Sequence, residues 1–157
     1  MPGTLPSVTS ASPLDLSKKQ FTIVVADWNE EITHALFQGA YAALLALGAR
    51  KKNIRSLHVP GSFELPLGAQ WAAGKSTDAV ICLGCVIQGD TPHFDYICQA
   101  VAKGIMDVNL RTNKPVAFGV LTVLNKKQAI DRAGGKLGNK GEEAAQTVVK
   151  MLEIKHR

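Results

Sequence analysis

The chain has 157 residues, of which 46% are hydrophobic and 20% charged, with a formal charge of +5. That length suits one domain burying roughly two-thirds of its unfolded surface, and the balance excludes a disordered chain. No apolar run nears the roughly 20 residues of a membrane span, and the N-terminus lacks the basic-then-apolar order of a secretory signal, so no membrane partner and a cytoplasmic location are expected.

Residues 1–20 are rich in Pro, Ser and Thr without periodicity and read as a flexible N-terminal segment, leaving 21–157 as a single domain. Phe21 to Ala26 is a β-branched run that predicts a strand, ended by Asp27-Trp28-Asn29. Ile32, Leu36, Ala40, Leu44 and Leu47 recur at helical spacing, and Gly48 supplies a stop. A second strand, Ile54 to Val59, ends at Pro60-Gly61, and a helix follows from about Phe63 to Ala73.

The third strand is the apolar run Ala79 to Ile87. Its Cys82 and Cys85 form a C-x-x-C, but thiols inside a buried strand behave as small hydrophobes. A redox pair would open a helix and a zinc site would need a second ligand pair, so no metal is expected. With Cys98, the three cysteines read as free thiols. Ile97, Val101, Ile105 and Val108 then mark a long helix, and Pro115 to Val120 a fourth strand. Two helices follow, over Lys126 to about Ala133 and Gly141 to about Ile154, joined by a glycine-rich connector. Much of the positive excess lies in Lys18-Lys19, Arg50-Lys51-Lys52 and Lys155-His156-Arg157. Cations at helix ends complement the dipole, which explains these clusters better than a nucleic-acid partner.

Strands separated by helical segments imply βαβ units, a mainly parallel sheet and helices on both faces. Ligands in such sheets bind beyond the carboxyl ends of the strands. In Gln88-Gly89-Asp90-Thr91-Pro92-His93, Thr91 fits an N-cap and Pro92 the first helical position. A glycine turn feeding a helix start offers free N–H groups to a phosphate, although the same pattern is also simply a good helix start, and Asp90 would demand a cation nearby. His93 on the first turn can move protons near neutral pH or sit there as an exposed side chain. Trp28 and Phe63 at strand ends can stack on a planar ring, Phe63 equally serving as a staple for its helix. Glu64 can accept ligand N–H groups or favour a first turn. Arg132, Lys136 and Lys140 gather cations around the glycine-rich connector, where no P-loop order occurs.

Taken together, several segments resemble the lumazine synthases of riboflavin biosynthesis: Val59-Pro60-Gly61-Ser62-Phe63-Glu64-Leu65-Pro66, the stretch from Leu83 to Asp95, Phe118-Gly119-Val120-Leu121-Thr122, and the stretch from Arg132 to Gly141. The likeness runs from about residue 20 to about 150 in order and spacing. It implies a three-layer αβα sandwich on a four-stranded, mainly parallel, flavodoxin-like sheet. It also implies a transferase that condenses 5-amino-6-(D-ribitylamino)uracil with 3,4-dihydroxy-2-butanone 4-phosphate to 6,7-dimethyl-8-ribityllumazine, with no cofactor. By the family's pattern, Trp28, Ser62, Phe63, Glu64, Cys85, Val86, Ile87 and Phe118 hold the ribitylaminouracil. Asp90, Thr91, Arg132 and Lys140 hold the butanone phosphate, and His93 moves protons. The resemblance further implies a homopentamer, built into an icosahedral shell, with Phe118 and Arg132 supplied by a neighbouring subunit. Trp28, Gln88 and Leu124 stand where phenylalanine, arginine and glutamate are frequent, which leaves the reaction type intact and alters the ring footprint and local charge.

Overall fold

The computed structural model describes residues 13–74 and 76–156. Strands β1 (Phe21–Ala26), β2 (Ile54–Val59), β3 (Ala79–Ile87) and β4 (Val116–Val123) form one sheet, all parallel, in the order β2-β1-β3-β4. Helices α1 (Glu30–Ala46) and α5 (Lys140–Lys155) cover one face, and α2 (Leu65–Ala73) and α3 (His93–Thr112) the other. A short helix, α4 (Lys126–Arg132), packs beside β4. This is the expected three-layer, flavodoxin-like sandwich.

The central strands are apolar in both parities because both of their faces are covered. Ile23, Val25, Ile81 and Leu83 pack against Leu36, Leu44, Val148 and Leu152 on the α1/α5 side. Val24, Val80 and Cys82 pack against Leu65, Ala69, Val101 and Ile105 on the α2/α3 side. The connection through α1 leads from β1 to β2, and the connection through α2 passes back across β1 to β3 on the opposite face. Strand order therefore reverses between β1 and β3, and a crevice opens there beyond the strand ends. Pairing of β1 with β3 stops at Val25 and Leu83, while Gly84 to Ile87 run on without a β1 partner.

Four details differ from the sequence expectation. Strand β4 continues to Val123, because Leu121, Thr122 and Val123 stand opposite Cys85, Val86 and Ile87 in the ladder. The glycine-rich connector is a small antiparallel hairpin, β5 (Ala133–Gly135) with β6 (Gly138–Asn139). Helix α3 begins at His93 with Pro92 at its cap, so Thr91 lies one residue further out, and its hydroxyl takes part in no hydrogen bond among the described residues. Of the segment expected to be flexible, residues 1–12 lie outside the described residues. Beyond them Asp15 caps a 3-10 turn over Leu16–Lys18 that inserts Leu16 into the core.

The start of α5 is fixed tightly. The Asn139 carboxamide oxygen accepts from the N–H groups of Gly141 and Glu142, and its Nδ2 donates to the carbonyl of Ala35 at 2.9 Å. A Cβ at Gly141 would run into the carbonyl oxygen of Leu36, so only glycine lets α5 approach α1 this closely.

Candidate active site

A groove of about 750 Å3 occupies the crevice between β1 and β3. The turn after β1 contributes Trp28 and Asn29, the turn after β2 contributes Pro60 to Glu64, the end of β3 contributes Cys85 to Ile87, and α3 contributes His93 and Ile97. Eight of the residues singled out from sequence thus meet here, namely Trp28, Ser62, Phe63, Glu64, Cys85, Val86, Ile87 and His93. Trp28 is 77% exposed and Phe63 58% exposed. Aromatic side chains left uncovered on a folded chain offer flat apolar faces to a ligand ring.

Backbone bonds hold the groove's rim. Asp27 N–H donates to the Val59 carbonyl at 2.9 Å and Trp28 N–H to the Pro60 carbonyl at 3.1 Å, carrying the β1–β2 pairing past the strand ends. On the other side, Asn29 Nδ2 donates to the Cys85 carbonyl at 2.9 Å. Ser62 is buried against β3, where a Cβ on Gly84 would come within 2.6 Å of its Oγ. Glycine at 84 is what lets the Ser62 turn sit on the strand.

The chemistry of the lining is mixed. Burial pushes the Cys85 thiol up to about 11 and raises that of Cys82 further, so both are neutral thiols near pH 7. Cys85 is a wall of the groove rather than a nucleophile. Neither the His93 ring nor the Glu64 carboxylate is engaged by another described residue, which leaves a proton carrier and an acceptor open to a ligand. Asp90 and Thr91 stand exposed in the loop that delivers His93, outside the groove lining. No hydrogen bond among the described residues uses the backbone N–H groups of Gly89, Asp90, Thr91, His93 or Phe94. Such a set at a helix start suits an oxyanion.

Phe118, Arg132 and Lys140 are not in this groove. They line a second pocket of about 360 Å3 along β4, together with Gln128, Glu143 and Thr147, and the two pockets share no lining residue. Phe118 is 44% exposed. Among the three cations named from the connector, Lys136 stands 3.6 Å from Asp131 and Lys140 lies 2.8 Å from both oxygens of Glu143. Arg132 donates to the Gln128 carbonyl at 3.0 Å and pairs with no carboxylate among the described residues. Among those residues, no group of three or more His, Cys, Asp or Glu is placed to hold a metal ion.

Sequence reasoning missed Asn29, Pro60, Gly61 and Ile97 in the groove and Glu143 and Thr147 in the second pocket. Asn29 had a readable signal, since asparagine directly before a helical pattern is either a cap or a left-handed turn. Glu143 had one too, three residues after Lys140 on a predicted helix.

A family model described as 6,7-dimethyl-8-ribityllumazine synthase matches residues 18–156. The chain is 65% identical over 139 residues to the 6,7-dimethyl-8-ribityllumazine synthase of Cytophaga hutchinsonii, covering 88% of this chain and 87% of that one. It is 50% identical over 136 residues to the protein of that name from Bacteroides fragilis, covering 86% and 95%. With the Protochlamydia amoebophila protein of the same name the identity is 45% over 142 residues, covering 90% and 83%.

Proposed function

The chain belongs to the 6,7-dimethyl-8-ribityllumazine synthase family, and we propose that its groove and its β4 pocket are two halves of one active site, joined where neighbouring copies meet. The reaction follows from membership: a transferase of riboflavin biosynthesis condenses 5-amino-6-(D-ribitylamino)uracil with 3,4-dihydroxy-2-butanone 4-phosphate, two small-molecule substrates, to 6,7-dimethyl-8-ribityllumazine.

In the proposed site, Trp28 and Phe63 flank the uracil ring, Ser62 and Glu64 accept or donate to its polar edge, and Cys85, Val86 and Ile87 form the wall. Phe118 of a neighbouring copy closes the ring's other side. The phosphate rests on the free N–H groups around Asp90 and Thr91 and on the neighbour's Arg132, aided by Lys140. The 5-amino group attacks the butanone carbonyl, and water leaves to give an imine. Loss of the C3 proton then expels inorganic phosphate from C4, and the enol so formed tautomerises to a ketone at C3. The ribitylamino nitrogen closes on that new carbonyl, and a second water departs. His93 takes and returns protons in these steps. Alignment of two dilute reactants carries most of the acceleration, with up to roughly 7–11 kcal/mol available from pre-set geometry. The proton shuttle adds about 10²-fold or less, because the amine is already a good nucleophile.

The observation that carries the shared-site reading is the separation on one chain of the aromatic, proton-carrying groove from the pocket holding Arg132. A stripe of exposed apolar side chains on α3, formed by Tyr96, Met106 and Leu110, supports burial against further copies. We read the assembly as a homopentamer, built into an icosahedral shell, of a cytoplasmic enzyme whose single domain takes in the Leu16 turn as well as residues 21–156. Among the described residues, no helix is long and apolar enough to cross a membrane.

Subunit complementation tests the shared site. Trp28→Ala weakens the groove and Arg132→Ala the cationic pocket, so at substrate concentrations well below the raised KM values each variant alone shows little activity. Chains co-assembled in equal amounts should recover about a quarter of the sites by random placement around a ring. No recovery, with mixed assemblies demonstrated by mass spectrometry, would place both halves on one chain. Incubating the purified protein with the two substrates and following the fluorescent product tests the reaction itself.

A further inference from the structure

We propose that Asn29 is the positioning residue of the groove, holding Trp28 over the ribitylaminouracil subsite; the inference rests on the reading of that subsite given above.

Three observations carry it. Asn29 has φ 62° and ψ 45°, in the left-handed region, at the residue that caps α1. A capping residue is ordinarily extended, with its side chain accepting from the first turn. Here the backbone carbonyl still accepts from Ile32 and Thr33, at 2.8 and 3.0 Å, but the side chain makes no cap bond. It reaches instead to a strand 56 residues further along, donating Nδ2 to the Cys85 carbonyl. Backbone departures of this kind persist where the surroundings enforce them, and they gather at ligand sites.

The acceptor is the second observation. Cys85 lies beyond the end of the β1–β3 ladder, which closes at Val25 and Leu83. Its carbonyl has lost a strand neighbour on that side, and the Asn29 amide takes the place of the missing ladder bond.

The third is the state of Trp28. With 77% of its surface exposed, the indole is not held by packing, so its placement depends on the backbone on either side. On one side its own N–H is tied to Pro60. On the other, the next residue is tied to β3 by its bond to Cys85, while among the described residues its carbonyl is held only within α1, by Ile32 and Thr33. The Trp28–Asn29 peptide therefore bridges the extension of β2 and the end of β3, and Asn29 is the strut on the β3 side. Asparagine suits the task because it tolerates the left-handed region and carries a donor.

The test uses the assembled enzyme in a Trp71→Phe background, which leaves Trp28 as the sole tryptophan. Asn29→Gly keeps the left-handed backbone accessible and deletes the strut. Asn29→Asp keeps the size and replaces the donor with an oxygen that repels the Cys85 carbonyl. In both, Trp28 emission anisotropy of the ligand-free enzyme should fall, and KM for the ribitylaminouracil should rise about fivefold or more, the weight of one hydrogen bond. KM for the butanone phosphate should stay within about twofold, since that half lacks Asn29. Trp28→Ala runs alongside. If it raises the ribitylaminouracil KM while both Asn29 variants keep the parent anisotropy and KM, the positioning role is overturned and the groove assignment stands. If Trp28→Ala leaves that KM unchanged, the groove assignment falls and takes the Asn29 role with it.

Discussion

Lys140 and Glu143 neutralise each other across one turn of α5, the ammonium lying 2.8 Å from both carboxylate oxygens. Arg132 lines the same pocket and has only a carbonyl partner, so the charge available to an incoming phosphate resides chiefly on Arg132. Arg132→Ala should raise KM for the butanone phosphate roughly tenfold to a hundredfold, and Lys140→Ala about threefold or less. Steady-state kinetics with each substrate varied in turn checks this. A larger effect from Lys140 would mean that Glu143 releases it when substrate binds.

His93→Ala should lower kcat by up to about 10²-fold while both KM values move little, because the ring contributes proton transfer rather than binding. Stopped-flow or steady-state product fluorescence reads both parameters. An unaltered kcat would remove His93 from the chemistry.

Cys82 and Cys85 are buried and neutral, so iodoacetamide at pH 7 should leave both unlabelled in the native enzyme and label both in denaturant. Peptide mass mapping gives the answer directly. Labelling of native Cys85 would mean that the groove opens more widely than its lining indicates.

The same burial has a consequence for alkaline stability. The folded Cys85 thiol titrates at about 11 and an unfolded one near 9.0, so above the lower value the unfolded chain holds fewer protons. Stability should decline between those pH values, and Cys85→Ala should flatten the decline. Melting temperatures across that window test it, and equal slopes in the two proteins would refute it.

Gly141→Ala should destabilise the fold by about 1–3 kcal/mol, since the added methyl meets a backbone carbonyl of α1 that cannot rotate away. Denaturant unfolding, compared with Gly138→Ala for backbone strain alone, separates crowding from conformation. No change in midpoint for Gly141→Ala would show that α1 and α5 can part freely.

The alternating architecture was readable because each central strand is a dense β-branched run bounded by turn residues, and α1 stops at Gly48, whose φ of 108° suits glycine. The end of β4 was harder to read. Leu121-Thr122-Val123 becomes strand only through its register with Cys85, Val86 and Ile87, a pairing between distant segments. The β5–β6 hairpin and the burial of Leu16 likewise depend on contacts that local pattern does not encode. Within the groove, bulky or ionisable residues such as Trp28, Glu64 and His93 announced themselves by type and placement after strands. Asn29 gave only the choice between a cap and a left-handed turn, because its role lies in a backbone angle and in a bond to a carbonyl carried by another strand.

The absence of any common lining residue between the groove and the β4 pocket bears on the enzyme's response to dilution. On the proposed arrangement, a solitary chain lacks the neighbour's Phe118 over the uracil and the neighbour's Arg132 on the phosphate, so its groove holds neither reactant firmly enough to join them. Turnover per chain would then collapse below the concentration at which rings hold together, even though every protomer stays folded. A newly made protomer would be catalytically silent until it met its neighbours, making ring closure the event that switches the chemistry on.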